Sequence, residues 1–146
     1  MNLEIYYDNK LLEKDKVFND RTLFKNEPEM TFVNNLQVNQ PIPLYTIIML
    51  DLLQDEVFLH ELICNIHFNK NLQLKKENIF VKYSSPNPPA NSGQHKYTFY
   101  LYKQNNNTPI KNPHFKNMRY NATFMQKWIK SNKLIEVNNI YILLNS

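Results

Sequence analysis

The sequence predicts a mainly β domain with one main helix near its C-terminal end. Three observations point there. Short apolar runs recur along the chain, bounded by Asn, Asp and Pro. One stretch, roughly Asn121 to Ser131, carries Phe124, Met125, Trp128 and Ile129 at helical spacing. No strand–helix–strand alternation, glycine-rich phosphate loop or internal repeat breaks the pattern. The 146 residues, 42% of them hydrophobic, suffice for one core and so for a single domain over residues 1–146.

In chain order, Leu3 to Tyr7 alternates as a first strand, and Asp8-Asn9 suits a turn. Lys10 to Asn26 is charged and poorly periodic, as short edge strands and loops are. Met30 to Val33 reads as a strand with a turn at Asn34-Asn35. Leu44 to Leu50 is apolar on both faces, as an inner strand should be, and ends in Asp51. Phe58 to Phe68 is the next strand, and strict alternation puts His60 with Leu62 and Cys64 on its more apolar face. Asn69-Lys70-Asn71 turns the chain, and Ile79 to Tyr83 leads into a proline-rich loop. From there His95 to Lys103 is a strand with His95, Tyr97, Phe99 and Leu101 on one face. An asparagine-rich loop, the helix and a closing strand at Ile140 to Leu144 complete the reading.

The net charge is +4, and no acidic residue occurs from Asn78 to Ile135, a span that carries Lys82, Lys96, Lys103 and Arg119 among other cations. That half of the chain suits an anionic partner. The cations are scattered, however, and no nucleic-acid motif accompanies them, so no specific nucleic acid is expected. Cys64 is the single cysteine, which rules out an intrachain disulfide framework and a thiolate zinc site. Met1 to Asp8 lacks a signal-peptide pattern, and no apolar run has transmembrane length. A cytoplasmic protein without a cofactor is the resulting expectation.

The most distinctive stretch is Ser84 to Tyr97, which holds the only glycine, Gly93, and the pair Pro88-Pro89. Consecutive prolines make a stiff extended loop. The lone glycine is expected where a Cβ cannot be accommodated. This loop delivers His95 and Tyr97 onto a strand, while Asp51 and His60 lie at the ends of two others.

Pro88-Pro89 followed by Gly93-x-His95-Lys96-Tyr97 resembles the GPP…GxHRY block of the phosphatidylethanolamine-binding protein family. Asp51 matches the first aspartate of that family's DPDxP block, His60 the histidine after it, and Phe58 the aromatic two residues earlier. The resemblance implies an antiparallel β-sandwich, a large central sheet plus a smaller one, in compact form as in bacterial or large-DNA-virus homologues. It also implies a small pocket for phosphate or a phosphorylated small ligand such as a lipid headgroup. Asp51, His60, Pro88, Pro89, Gly93, His95 and Tyr97 would line it, with Phe58 and Asn87 at the rim. Such a module binds without turnover and regulates signalling through a protein partner, of the host if the source is viral.

Two departures alter the expected site. The DPDxP block reads Asp51-Leu52-Leu53-Gln54-Asp55 here, so both prolines and the second aspartate are lost. Asn87 replaces the glycine before the proline pair, and asparagine tolerates positive φ best among non-glycine residues. Chemically, a carboxylate beside His60 would favour its imidazolium form. His60 and His95 could then donate to phosphate oxygens together with the Tyr97 hydroxyl. The rival reading is a hydrolase, with Asp51, His60 and His95 on a metal or Ser84, Ser85 or Ser92 as nucleophile beside His95. No HExxH spacing or GxSxG elbow supports it.

Overall fold

The computed structural model describes residues 2–33, 43–67 and 76–146. Among them, two sheets and one α-helix form a sandwich with a covered back. The smaller sheet has order β2-β1-β4, from β1 (Asn2–Tyr7), β2 (Lys10–Leu11) and β4 (Glu29–Val33). The larger has order β3-β10-β8-β5-β6-β7, with β9 also pairing β6. Its strands are β3 (Val17–Phe18), β5 (Tyr45–Leu52), β6 (Glu56–Ile66), β7 (Ile79–Val81), β8 (Gln94–Lys103), β9 (Arg119–Asn121) and β10 (Ile135–Asn145).

The large sheet is mixed rather than purely antiparallel, because β3 runs parallel to β10 at its edge. The fold class is otherwise as the sequence reads. The expected turn at Asn34-Asn35, Pro41, and the chain reversal at Asn69 to Asn71 lie outside the described residues.

Apolar side chains form two layers. Leu3, Ile5, Met30 and Phe32 of the small sheet pack on Ile47, Met49, Phe99, Leu101 and Ile142 of the large one. On the opposite face Ile48, Leu50, Leu59, Leu62 and Cys64 meet Met125 of α1 (Ala122–Ser131), with Trp128 and Ile129 against the same cluster. The helix starts where Asn121 Oδ1 accepts from the Thr123 N–H, as an N-cap should. Burial of the Cys64 thiol in this layer pushes its pKa up to about 12.

Scarcity of glycine leaves a visible mark on the backbone. Among the described residues, the non-glycine positions with positive φ are Asn or Asp except for His114 and Lys133. Asp8 and Asn9 make the β1–β2 turn in this way, with φ of 49° and 66°. Gly93, at φ +87°, has open space where a Cβ would be built. Its necessity is therefore conformational, and the expectation of a steric reason is corrected.

A bulge in β6 bears directly on the site. Met49 pairs with Glu61, but Leu50 pairs with Leu59, so His60 is the extra residue. The bulge breaks strict alternation. Leu59 and Leu62 stay in the helix-side layer while His60 turns toward Phe58 and Tyr97, with ring centroids 4.5 and 5.2 Å away. The grouping of His60 with Leu62 and Cys64 is thus wrong, because alternation cannot anticipate an inserted residue.

Candidate functional site

Asp51, Phe58, His60, Pro88, Pro89, His95, Tyr97 and Asn87 line one cavity of about 260 Å³, together with Leu53, Ser84, Ser85 and Arg119. That volume suits a headgroup or smaller ligand rather than a drug-sized molecule. Register explains the convergence. Asp51 lies opposite Phe58 on one side and Tyr97 on the other. His95 stands two residues before Tyr97 and so points the same way.

The proline loop is tied to the bulge. The Ser84 N–H donates to the His60 carbonyl (2.8 Å), and His60 Nδ1 meets the Ser84 carbonyl at 2.6 Å. Asn87 is not among the residues with positive φ, so it does not replace glycine's conformational role. Its side-chain oxygen instead accepts from Arg21 and fastens the loop to the segment after β3. Gly93 is not a lining residue. Its N–H and carbonyl hold Ser146, through hydrogen bonds of 3.0 Å each.

Charge is distributed differently from the sequence expectation. The Asp51 carboxylate binds His95, with Nδ1 to Oδ2 at 2.9 Å and both side chains about nine-tenths buried. His60 donates its Nδ1 proton to a carbonyl, which can only accept. Burial lowers the His60 pKa, and the Ser84 hydrogen bond and the Asp51 charge oppose that shift only in part. Burial thus favours the neutral ring at His60 and works against the charge-assisted donor expected there.

His95 is also committed. Its Nε2 lies 2.8 Å from Ser92 Oγ, and that hydroxyl donates to the Pro89 carbonyl at 2.5 Å. With the serine proton spent on Pro89, Nε2 donates to the hydroxyl oxygen and Nδ1 donates to Asp51. The Ser92–His95–Asp51 string has the spacing of a catalytic triad, but its hydrogen bonds run the wrong way for a base that activates serine. Ser92, moreover, does not line the cavity.

What the sequence reading missed is Arg119. It counted only as one of many cations, yet β9 brings it opposite Phe58 and into the cavity wall. Its side chain is about two-thirds exposed, with the guanidinium 3.7 Å from Glu56 at the rim. The signal was hidden because β9 is three residues long and reaches β6 across a long sequence separation. The Tyr97 phenol, raised in pKa by burial and the Asp51 charge, remains a hydrogen-bond donor. A larger hollow of about 510 Å³ lies elsewhere, walled by Lys25, Asn26, Glu27, Ile79, Lys82 and Tyr83. It contains none of the Asp51, His60 and His95 set. Among the described residues no cluster of three or more His, Cys, Asp or Glu side chains could hold a metal, and no helix is long and apolar enough to cross a membrane.

Comparison with known proteins extends this picture. The family model described as phosphatidylethanolamine-binding protein matches residues 25–140. No curated protein sequence matches the chain. Among solved structures, a carboxypeptidase Y inhibitor complexed with its cognate proteinase is similar at TM-score 0.74 and 23% identity, over 99% of this chain and 82% of that one. The phosphatidylethanolamine-binding protein of Plasmodium vivax is similar at TM-score 0.66 and 14% identity, over 98% and 84%. That of Plasmodium falciparum is similar at TM-score 0.68 and 13% identity, over 97% and 83%.

Proposed function

The chain belongs to the phosphatidylethanolamine-binding protein family, and from that premise we propose that it binds small phosphoryl anions in the cavity around Asp51, His60, His95 and Tyr97. One observation carries the reading: residues from β5, β6, the proline loop, β8 and β9 converge on a headgroup-sized cavity whose rim holds a guanidinium. Arg119 supplies a forked cationic donor, the chemistry that phosphate oxygens favour. The Tyr97 hydroxyl adds a neutral donor, and Ser84 and Ser85 bring hydroxyls to the same wall.

Charge balance limits affinity. The Asp51 carboxylate is hydrogen-bonded to His95, and Arg119 is the permanent cation of the cavity wall, in loose contact with Glu56. Binding without chemical turnover fits this arrangement, since both His95 nitrogens are engaged and His60 has given its proton to the loop. The hydrolase alternative has less support for the same reason. The likeness to a proteinase inhibitor favours a second use of the chain, an outer surface that docks on a proteinase. Inhibition of carboxypeptidase Y at micromolar protein would support it, and full peptidase activity would dismiss it. Signalling through a protein partner fits either use of the surface.

The test of the cavity is a phosphomonoester titration followed by nitrogen-15 NMR of the histidine rings. Saturable shifts at His60, with His67 and His114 unmoved, are the expected result. Uniform small drifts at all four histidines would refute cavity binding.

A further inference from the structure

We propose that the hollow beside β7 is a second ligand site, suited to a zwitterion of the amino-acid type with an apolar side chain. Its wall comes from the segment before β4, which gives Lys25, Asn26 and Glu27, and from Ile79, Lys82 and Tyr83 in and just after β7. At about 510 Å³ it is larger than the first cavity and shares no lining residue with it. Charges of both signs border the space. Among the described residues neither lysine forms an ion pair with Glu27.

The floor of the hollow explains why Glu27 keeps its charge. Glu61 lies behind it, fully buried and within hydrogen-bonding reach of the Glu27 carboxyl. The two phenols nearby have no proton to give. Tyr83 donates to the Phe24 carbonyl at 2.6 Å, and the Tyr7 hydroxyl, 3.0 Å away, donates to Tyr83. No ion pair among the described residues includes Glu61 either. Two carboxyl groups this close keep one proton between them, so the pair carries a single negative charge. Desolvation holds the proton on buried Glu61 and leaves the charge on exposed Glu27, at the wall.

A ligand of one charge would leave part of this wall unmatched. An α-amino acid matches both parts, its ammonium toward Glu27 and its carboxylate toward Lys25 and Lys82. An apolar side chain then lies against Ile79 and the half-buried Tyr83 ring. The volume admits a dipeptide as readily as a free amino acid, with the same two charged ends.

The test is an NMR titration of the whole protein at neutral pH with leucine, leucyl-leucine, isoamylamine and isocaproate. The amine lacks the carboxylate of leucine, and isocaproate lacks its ammonium. Saturable shifts at Ile79 and Lys82 with leucine or the dipeptide are expected, each analogue binding at least about fivefold more weakly. Preference for leucine supports the proposal with a free amino acid as source, and preference for the dipeptide supports it with a short peptide. An analogue that binds as tightly as leucine would overturn it, as would the absence of saturable shifts with both leucine and leucyl-leucine. Glu27→Gln should erase the advantage of leucine over isocaproate, and Lys82→Gln should reduce its advantage over isoamylamine. A Glu27→Gln protein with a native NMR fingerprint and an undiminished leucine preference would refute the assignment. Arg119→Gln should leave leucine binding intact, whereas a loss there would put the amino acid in the first cavity and end the case for a second site.

Discussion

Replacing Glu61 with glutamine should stabilise the protein increasingly as pH rises. Glu61 follows the bulged His60, is fully buried, and apart from the Glu27 carboxyl no described residue offers its carboxyl oxygens a hydrogen bond. Glu27, Tyr7 and Tyr83 are the titratable groups around it. Burial pushes its pKa from 4.5 up to about 9, and the Glu27 carboxyl acts in the same sense. The folded state thus retains a proton that the unfolded chain releases above pH 4.5. Stability is fully present below that pH and declines until the folded group ionises near 9. Each pH unit in the window costs about 1.4 kcal/mol, so about 4 kcal/mol separates about pH 5 from about pH 8. Glutamine imitates the neutral acid and has no proton to lose. Urea unfolding of both proteins across that range should show the variant's advantage growing by about 4 kcal/mol, at constant m-value. A constant difference between them, or a variant less stable throughout, would mean that Glu61 is ionised and paired, contrary to its surroundings.

Three further outcomes follow from the same structure. Gly93→Ala should lose about 1 kcal/mol from its φ of +87° alone, since a Cβ there meets nothing; Gly93→Asn should lose less, as thermal melts of the pair would show. Asp51→Ala removes the buried partner of His95 and should cost about 3 kcal/mol in denaturant unfolding, with His67 and His114 shifts unchanged. His60 has a folded pKa below 6.5, so its contribution is present above that pH and is lost as pH falls. Wild type should therefore lose stability against His60→Gln on acidification, and parallel pH profiles would contradict the buried neutral ring.

Much of this was legible in the sequence, because strands and turns are local signals. The alternation of Leu3 to Tyr7, the Asp8-Asn9 turn, the face shared by Tyr97, Phe99 and Leu101, and the Asn121 cap all reappear. The site was legible through motif order, as Asp51, His60, the proline pair, His95 and Tyr97 come together in one cavity. Pairings across long separations were not. The parallel β3–β10 edge and the β9–β6 contact that brings in Arg119 depend on tertiary register, which a composition of scattered lysines conceals. Nor was proton direction legible. The motif puts a carboxylate near two histidines, but only in the folded chain does Asp51 pair with His95 while His60 turns to the Ser84 carbonyl. Gly93 was read by residue type and proved to hold Ser146 instead of lining the cavity.

A crystal soaked in a phosphomonoester tests the central claim most directly. The account predicts tetrahedral density inside the wall formed by Asp51, His60, Tyr97 and Arg119, with the guanidinium on the anionic oxygens and His60 Nε2 within hydrogen-bond distance of one oxygen. An unoccupied cavity at saturating ligand, or density confined to surface lysines, would contradict it.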